Sequence, residues 1–186
     1  MDIALEAPAA ARTLLRDACG ETHARLDQKL SNINFDDRGA YTHMLERISG
    51  PLGALEAALS ADLGPALLSD WPQRRRTPAL RADLAALGGS FQVRFAPPIT
   101  DEAEALGVLY VLEGSRLGGR VLARMAAESA DPAVRGATHF FRHAEHAGHW
   151  RDFLAVLETS SAVRANPVRA KRGALDAFAR FEAAFA

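Results

Sequence analysis

Ala105-Leu106-Gly107-Val108-Leu109-Tyr110-Val111-Leu112-Glu113-Gly114-Ser115-Arg116-Leu117-Gly118-Gly119-Arg120-Val121-Leu122-Ala123-Arg124 is the stretch on which the reading of this chain turns. Apolar residues at 105, 108, 109, 112, 117, 121 and 122 recur with mostly helical spacing, which predicts a largely buried helix. Gly114, Gly118 and Gly119 fall just past its middle, and each costs about 1 kcal/mol against alanine. A helix carrying that cost puts the positions to use. Gly114 and Gly118 are four residues apart and so share a face, with Gly119 beside them. A face without side chains admits other backbone or a ligand at contact distance. Two uses fit: a close helix–helix crossing, or a flat ligand pressed against a helix that kinks at its glycine cluster.

Working outward, 186 residues are enough for one domain with a sizeable core, and we take residues 1–186 as that domain. Hydrophobic residues at 48% and charged residues at 24% fit an ordinary globular protein. With 22 basic residues matched by 23 acidic ones, the charge balance argues against a general nucleic-acid binder. The single Cys19 excludes an intramolecular disulfide and fits a reducing cytoplasm. The opening Met1-Asp2-Ile3-Ala4-Leu5-Glu6 lacks the basic region of a secretory signal, and no apolar run reaches membrane-spanning length. A cytoplasmic protein with no membrane and no nucleic-acid partner is expected.

The helical pattern continues on both sides. A first helix is expected from near Pro8 to about Leu30, with Leu15, Cys19, Leu26 and Leu30 on its apolar stripe. Asp36 or Asp37 caps a second, from 37 to 62, broken or kinked by Pro51 after Gly50. Residues 63–76 read as a connector, and Thr77-Pro78 starts a third helix that stops at Gly88-Gly89. Residues 91–99 are irregular, Thr100 caps the central helix, and Asp101, Glu102 and Glu104 complement its dipole. A loop at 131–138, a helix from His143 to Ser161 and a last helix from Pro167 to Phe185 complete the chain. Trp150, Phe153, Leu154 and Leu157 face inward on the first of these, and Leu175, Phe178, Phe181 and Phe185 form the stripe of the second. No strand, repeat or linker is apparent, so the fold class is all-α.

Among polar residues, His23 stands out because it lies on the apolar stripe of the first helix. It is either a core or rim histidine bonded to backbone, or a metal ligand. Asp27, one helical turn later, can accept the second ring N–H, fix the tautomer and aim the free nitrogen. Arg16, two turns before His23, can meet an anionic group or stay solvated. His139, His143 and His146 have i, i+4, i+7 spacing, which suits a transition metal if the segment is helical and a partly exposed rim if it is not. Arg74-Arg75-Arg76 reads as a solvated or capping cluster. No thiol–imidazole site or phosphate-binding loop is recognisable, and the direction of Glu113 is open.

Two segments taken together are more specific: Leu15-Arg16-Asp17-Ala18-Cys19-Gly20-Glu21-Thr22-His23-Ala24-Arg25-Leu26-Asp27, and Leu109 to Gly119. The pair resembles heme oxygenases, above all the bacterial branch that supplies biliverdin to bacteriophytochromes, and the likeness in helix order covers nearly the whole chain. The resemblance implies a single-domain, multihelical heme-oxygenase-like fold, with heme as both substrate and cofactor. His23 would be the axial ligand of the heme iron, Asp27 its orienting carboxylate, and Gly114, Ser115, Gly118 and Gly119 the distal side. It also implies O2, electrons from ferredoxin or another reductase system, ring opening to biliverdin with release of CO and iron, and possible delivery to a bacteriophytochrome. Arg16 and Arg151 would contact the propionates. Ser115 stands where the animal branch carries aspartate, as in the bacterial Glu-Gly-Ser pattern, and His143-Ala144 replaces a Tyr-Gly-like pair. The alternative is a non-catalytic protein of this fold acting as a heme-binding sensor or interaction module.

Overall fold

The computed structural model describes residues 10–59, 63–143 and 148–186, and among them every regular element is helical. The order is α1 (Ala11–Ser31), α2 (Arg38–Ala58), α3 (Leu63–Leu67), α4 (Trp71–Arg74), α5 (Thr77–Leu87), α6 (Glu102–Ala127), α7 (Pro132–Gly136), α8 (His139–Arg142), α9 (His149–Thr159), α10 (Ser161–Ala165) and α11 (Pro167–Ala184). The all-α class expected from the sequence is observed.

α6 runs without interruption from Glu102 to Ala127 across all of its glycines. Its cap is Asp101 rather than Thr100: the Asp101 carboxylate accepts the Glu104 N–H at 2.8 Å, satisfying a donor the helix cannot. Leu106 and Leu109 are fully buried, each contributing on the order of 1.5–3 kcal/mol. The main partner of α6 is α11, and the approach is set by two glycines. A β-carbon on Gly107 would run into the carbonyl oxygen of Ala170, and one on Gly173 into that of Glu104. Small neighbours complete the seam, with Ala170, Ala174 and Ala177 fully buried. The close crossing therefore sits about two turns before the glycine cluster, at a glycine that helical periodicity does not distinguish.

α1 packs along α11 on another side and is clamped near its end. Arg25 Nε lies 2.7 Å from Glu182 Oε1, and Lys29 Nζ donates to the Phe185 carbonyl at 3.0 Å. α2 lies against α5 and α11, and its Tyr41 hydroxyl donates to the Ala137 carbonyl at 2.6 Å in full burial.

Several local expectations need correction. Pro51 neither breaks nor ends α2; Gly50, Pro51 and Leu52 are all buried, and packing carries the helix through the lost N–H bond. The presumed connector at 63–76 holds α3 and α4, and the loop at 131–138 holds α7, capped by Asp131 on the Ala133 N–H at 2.7 Å. The helix expected from His143 to Ser161 is observed as α9 from His149, followed by α10, which Ser160 caps through the Val163 N–H; residues 144–147 lie outside the described residues, and the short α8 ends at Arg142, before the expected start. On α11 the buried face is Ala170, Gly173, Ala174, Ala177 and Phe178, which leaves Leu175 off the stripe and exposed. The expected starts at Pro8 and ends at 62 lie outside the described residues.

Candidate functional site

His23 points away from the core. Its side chain is 58% exposed, although Leu15 and Cys19 on the preceding turns are buried. Its Nδ1 lies 3.1 Å from Asp27 Oδ2, so the i, i+4 pair read from the sequence forms, and the ring's Nε2 is left for another partner. The ring meets Phe178 of α11 edge-on, with centroids 5.8 Å apart and planes at 83°. One turn back, burial pushes the Cys19 thiol up to about 11.

The glycine face of α6 divides into three situations. A β-carbon on Gly114 would reach the Trp150 ring of α9 at 3.6 Å, an ordinary contact. At Gly118 nothing lies within 4 Å of that position. Gly119 is buried. Around Gly118 the surface is apolar, with Leu117 at 46% and Val121 at 49% exposure. α6 and α1 are linked by their common neighbours α11 and α9. They come within electrostatic reach at Tyr110, whose hydroxyl is pushed up by burial and by Cys19, against a lowering by Arg12 and Arg16. Tyr110 stacks obliquely on Trp150 at 5.6 Å. His23 and Gly118 do not touch. Two cavities, of about 500 and 660 Å³, lie elsewhere, the second beside Pro78, His139 and Arg142.

Behind the glycine face lies a buried polar network that sequence reasoning missed. Glu113 is fully buried and aims away from the glycines. Its carboxylate accepts two N–H bonds from Arg116, each 2.9 Å, and one from Arg74 at 2.9 Å. Arg74 also donates to Asp70 at 2.6 Å and to the His149 carbonyl at 2.9 Å, which ties α4, α6 and α9 together. Arg116 Nη1 lies 3.2 Å from His143 Nδ1. Arg76 reaches α6 as well, donating to the Leu112 carbonyl at 2.9 Å and to Ser115 Oγ at 2.8 Å. Ser115 in turn donates to the Leu112 carbonyl at 2.8 Å. Burial, then Arg116, pushes the Arg76 guanidinium down to about 10, which leaves it charged at neutral pH. The arginine triplet is thus not a solvated cluster: Arg74 and Arg76 are 2% and 4% exposed, and only Arg75 faces out. Such charges survive burial because each has a partner.

The remaining candidates disperse. Arg16 is exposed and pairs with Asp17 at 3.0 Å; Arg151 is exposed and lies 3.4 Å from Asp152. His139 Nδ1 is held 2.7 Å from the buried Asp83, and His143 faces Arg116. His146 lies outside the described residues, and among those described no three metal-ligating side chains gather.

The chain matches the family described as "Heme oxygenase" over residues 9–186. It is 42% identical over 154 residues to a heme oxygenase of Xanthomonas campestris pv. campestris (strain 8004), covering 81% of this chain and 91% of that protein. It is 36% identical over 174 residues to heme oxygenase PigA of Pseudomonas aeruginosa, covering 87% and 84%. Among solved structures, its fold is similar to the NO- and CO-bound heme oxygenase from Neisseria meningitidis, with a TM-score of 0.76, 24% identity, and 95% and 90% of the two chains covered. It is also similar to heme oxygenase from Leptospira interrogans, with a TM-score of 0.69, 16% identity, and 95% and 98% covered.

Proposed function

Because this chain belongs to the heme oxygenase family, whose members open heme to biliverdin, we propose that its substrate lies between His23 of α1 and the Gly114–Gly118 face of α6. The observation that carries this placement is the exposed His23 imidazole, held by Asp27 through one nitrogen and open at the other. A carboxylate on the rear N–H fixes the tautomer and strengthens the free nitrogen as an iron ligand. When bound, heme supplies both the iron at which O2 reacts and the ring that is opened.

The residues then divide the work. Gly118 keeps the space above its backbone clear, while Leu117 and Val121 offer apolar surface to a flat macrocycle. Trp150 backs Gly114, and Gly119 is buried beside the open face. Ser115 and Arg76 form the polar element of this side. The buried Arg76 guanidinium holds the Ser115 oxygen from behind this face, and its positive charge would favour negative charge on a ligand bound here. Arg16, near Tyr110, and Arg151, beside Trp150, are exposed cations suited to the two propionates. O2 and electrons from ferredoxin or another reductase complete the reaction, in the cytoplasm, with a bacteriophytochrome as acceptor of the product.

The test is a hemin titration followed at the Soret band, for wild type and His23→Ala, and then addition of ascorbate or of ferredoxin with its reductase. Stoichiometric binding that His23→Ala weakens, followed by Soret loss and a biliverdin band, is the expected result. Unaltered binding and ring opening in His23→Ala would overturn the placement.

A further inference from the structure

The face of α11 opposite His23 closes a separate hollow, the smaller of the two cavities. At about 100° per residue, Arg180, Ala183 and Ala184 lie on the side of α11 turned away from Phe178, the residue that touches His23. Together with α2 and the irregular segment 91–99 they enclose a cavity of about 500 Å³. That volume is within the range of about 300–1,000 Å³ usual for small-molecule sites.

Its chemistry is two-sided. Pro51 and Ala54 supply an apolar wall, and Phe95 stands at another side with 82% of its surface exposed. Arg47, Arg94 and Arg180 all line it, against a single carboxylate among the described residues, Glu46. That carboxylate is already engaged: it accepts the Ser90 N–H at 2.7 Å and lies 3.5 Å from His43 Nδ1. Arg47 donates its Nε to His43 Nε2 at 2.9 Å and lies over the Phe185 ring, and Arg180 makes a long 3.4 Å bond to the Phe95 carbonyl. Arg94 crosses directly over Gly50, where a β-carbon would stand 2.7 Å from its Cγ; only glycine lets its stem lie there. Three guanidinium forks thus surround a hollow whose one acid is committed to backbone, and an uncovered phenyl ring flanks them. Guanidinium forks match carboxylates in geometry and charge.

We propose that this cavity binds an amphipathic organic carboxylate, its acid group on Arg94 and Arg180 and its apolar body against Phe95 and Pro51. The chemistry is shared by linear tetrapyrroles, which carry two propionates, and by fatty carboxylates. The site is separate from the His23 face and does not depend on the assignment made there.

Two titrations distinguish the sources. Laurate is titrated calorimetrically into the protein without hemin, and biliverdin is titrated into protein already carrying one equivalent of hemin, followed by its induced circular dichroism. Binding of either ligand that Arg94→Glu with Arg180→Glu weakens by about a hundredfold or more, the loss of two charge-assisted hydrogen bonds, supports the site and identifies its ligand. Ala183→Trp, at an exposed position, fills the hollow without changing charge and should abolish the same binding. His23→Ala should weaken hemin and leave laurate unaffected, so failure of one assignment is distinguishable from failure of the other. No binding of either ligand, or binding indifferent to both the charge reversal and the tryptophan, overturns the proposal.

Discussion

Gly107 of α6 and Gly173 of α11 meet so closely that a β-carbon on either would strike a carbonyl oxygen of the other helix. Gly118, eleven residues further along the same α6, faces open space. Identical residues on one helix therefore do opposite jobs, and a single methyl group separates them experimentally. Gly107→Ala should force the helices apart and cost about 1–3 kcal/mol, the usual range for overpacking, read as a lower denaturant midpoint. Gly118→Ala should cost nothing, and helix propensity favours it by about 1 kcal/mol. A Gly107→Ala protein of unchanged stability would show that the crossing relaxes.

Gly118→Leu places a larger side chain on the open face. Its expected effect is loss of heme ring opening with unfolding midpoint intact, measured by biliverdin formation and by denaturation on the same preparation. Normal turnover in this variant would remove α6 from the distal side.

Asp27→Ala leaves His23 without the acceptor 3.1 Å from its Nδ1. Partners of metal-bound histidines usually contribute about 10–100-fold to affinity or activity, and a hemin affinity weakened by that factor is expected. Asp27→Asn should lose less, since the amide oxygen still accepts the N–H.

Glu113→Gln removes the carboxylate that neutralises Arg74 and Arg116 in full burial. Arg74 keeps Asp70, but Arg116 is left buried without a carboxylate, which should cost about 3–5 kcal/mol of stability. The resulting loss in the denaturant midpoint should be far larger than for Glu46→Gln at the partly exposed cavity wall.

Stability should also fall in mild acid through His149. Burial first, then Arg74 and Arg116, lowers the pKa of its imidazole in the folded chain. The unfolded chain, with an ordinary histidine near 6.5, binds the proton more readily. His149 therefore contributes fully above about pH 6.5, and the contribution is lost as pH falls through the lower folded value. Denaturant midpoints recorded from pH 7.5 to 5 should decline less steeply for His149→Gln than for wild type.

Local features were the legible ones. The His23–Asp27 pair, the Asp37 cap and the Gly88 stop, at φ +72°, depend on residues within one turn of each other, and spacing reveals them. Glycine roles were not legible in this way. Which glycine makes a crossing depends on what α11 brings to it, so the cluster at 114–119 drew attention that Gly107 merited equally. The polar network was hidden for the same reason. Arg74 and Glu113 are 39 positions apart, and Asp83 and His139 are 56 apart, distances over which no helical period connects partners. Hydrophilicity alone placed Arg74 and Arg76 in solvent, whereas pairing lets them into the core. Pro51 shows the reverse error, a strong local signal overruled by burial on every side.

The state of Cys19 bears on how such a molecule survives its own chemistry. An enzyme that splits heme liberates iron in the presence of oxygen, and this chain keeps its one sulfhydryl a single turn from the histidine assigned to that iron. Only the thiolate oxidises or captures metal readily. With 2% of the residue exposed and the proton retained up to about 11, the sulfur stays inert at neutral pH. With heme placed at His23 as proposed, burial there would act as self-protection: the wall nearest the damage would offer it nothing to attack.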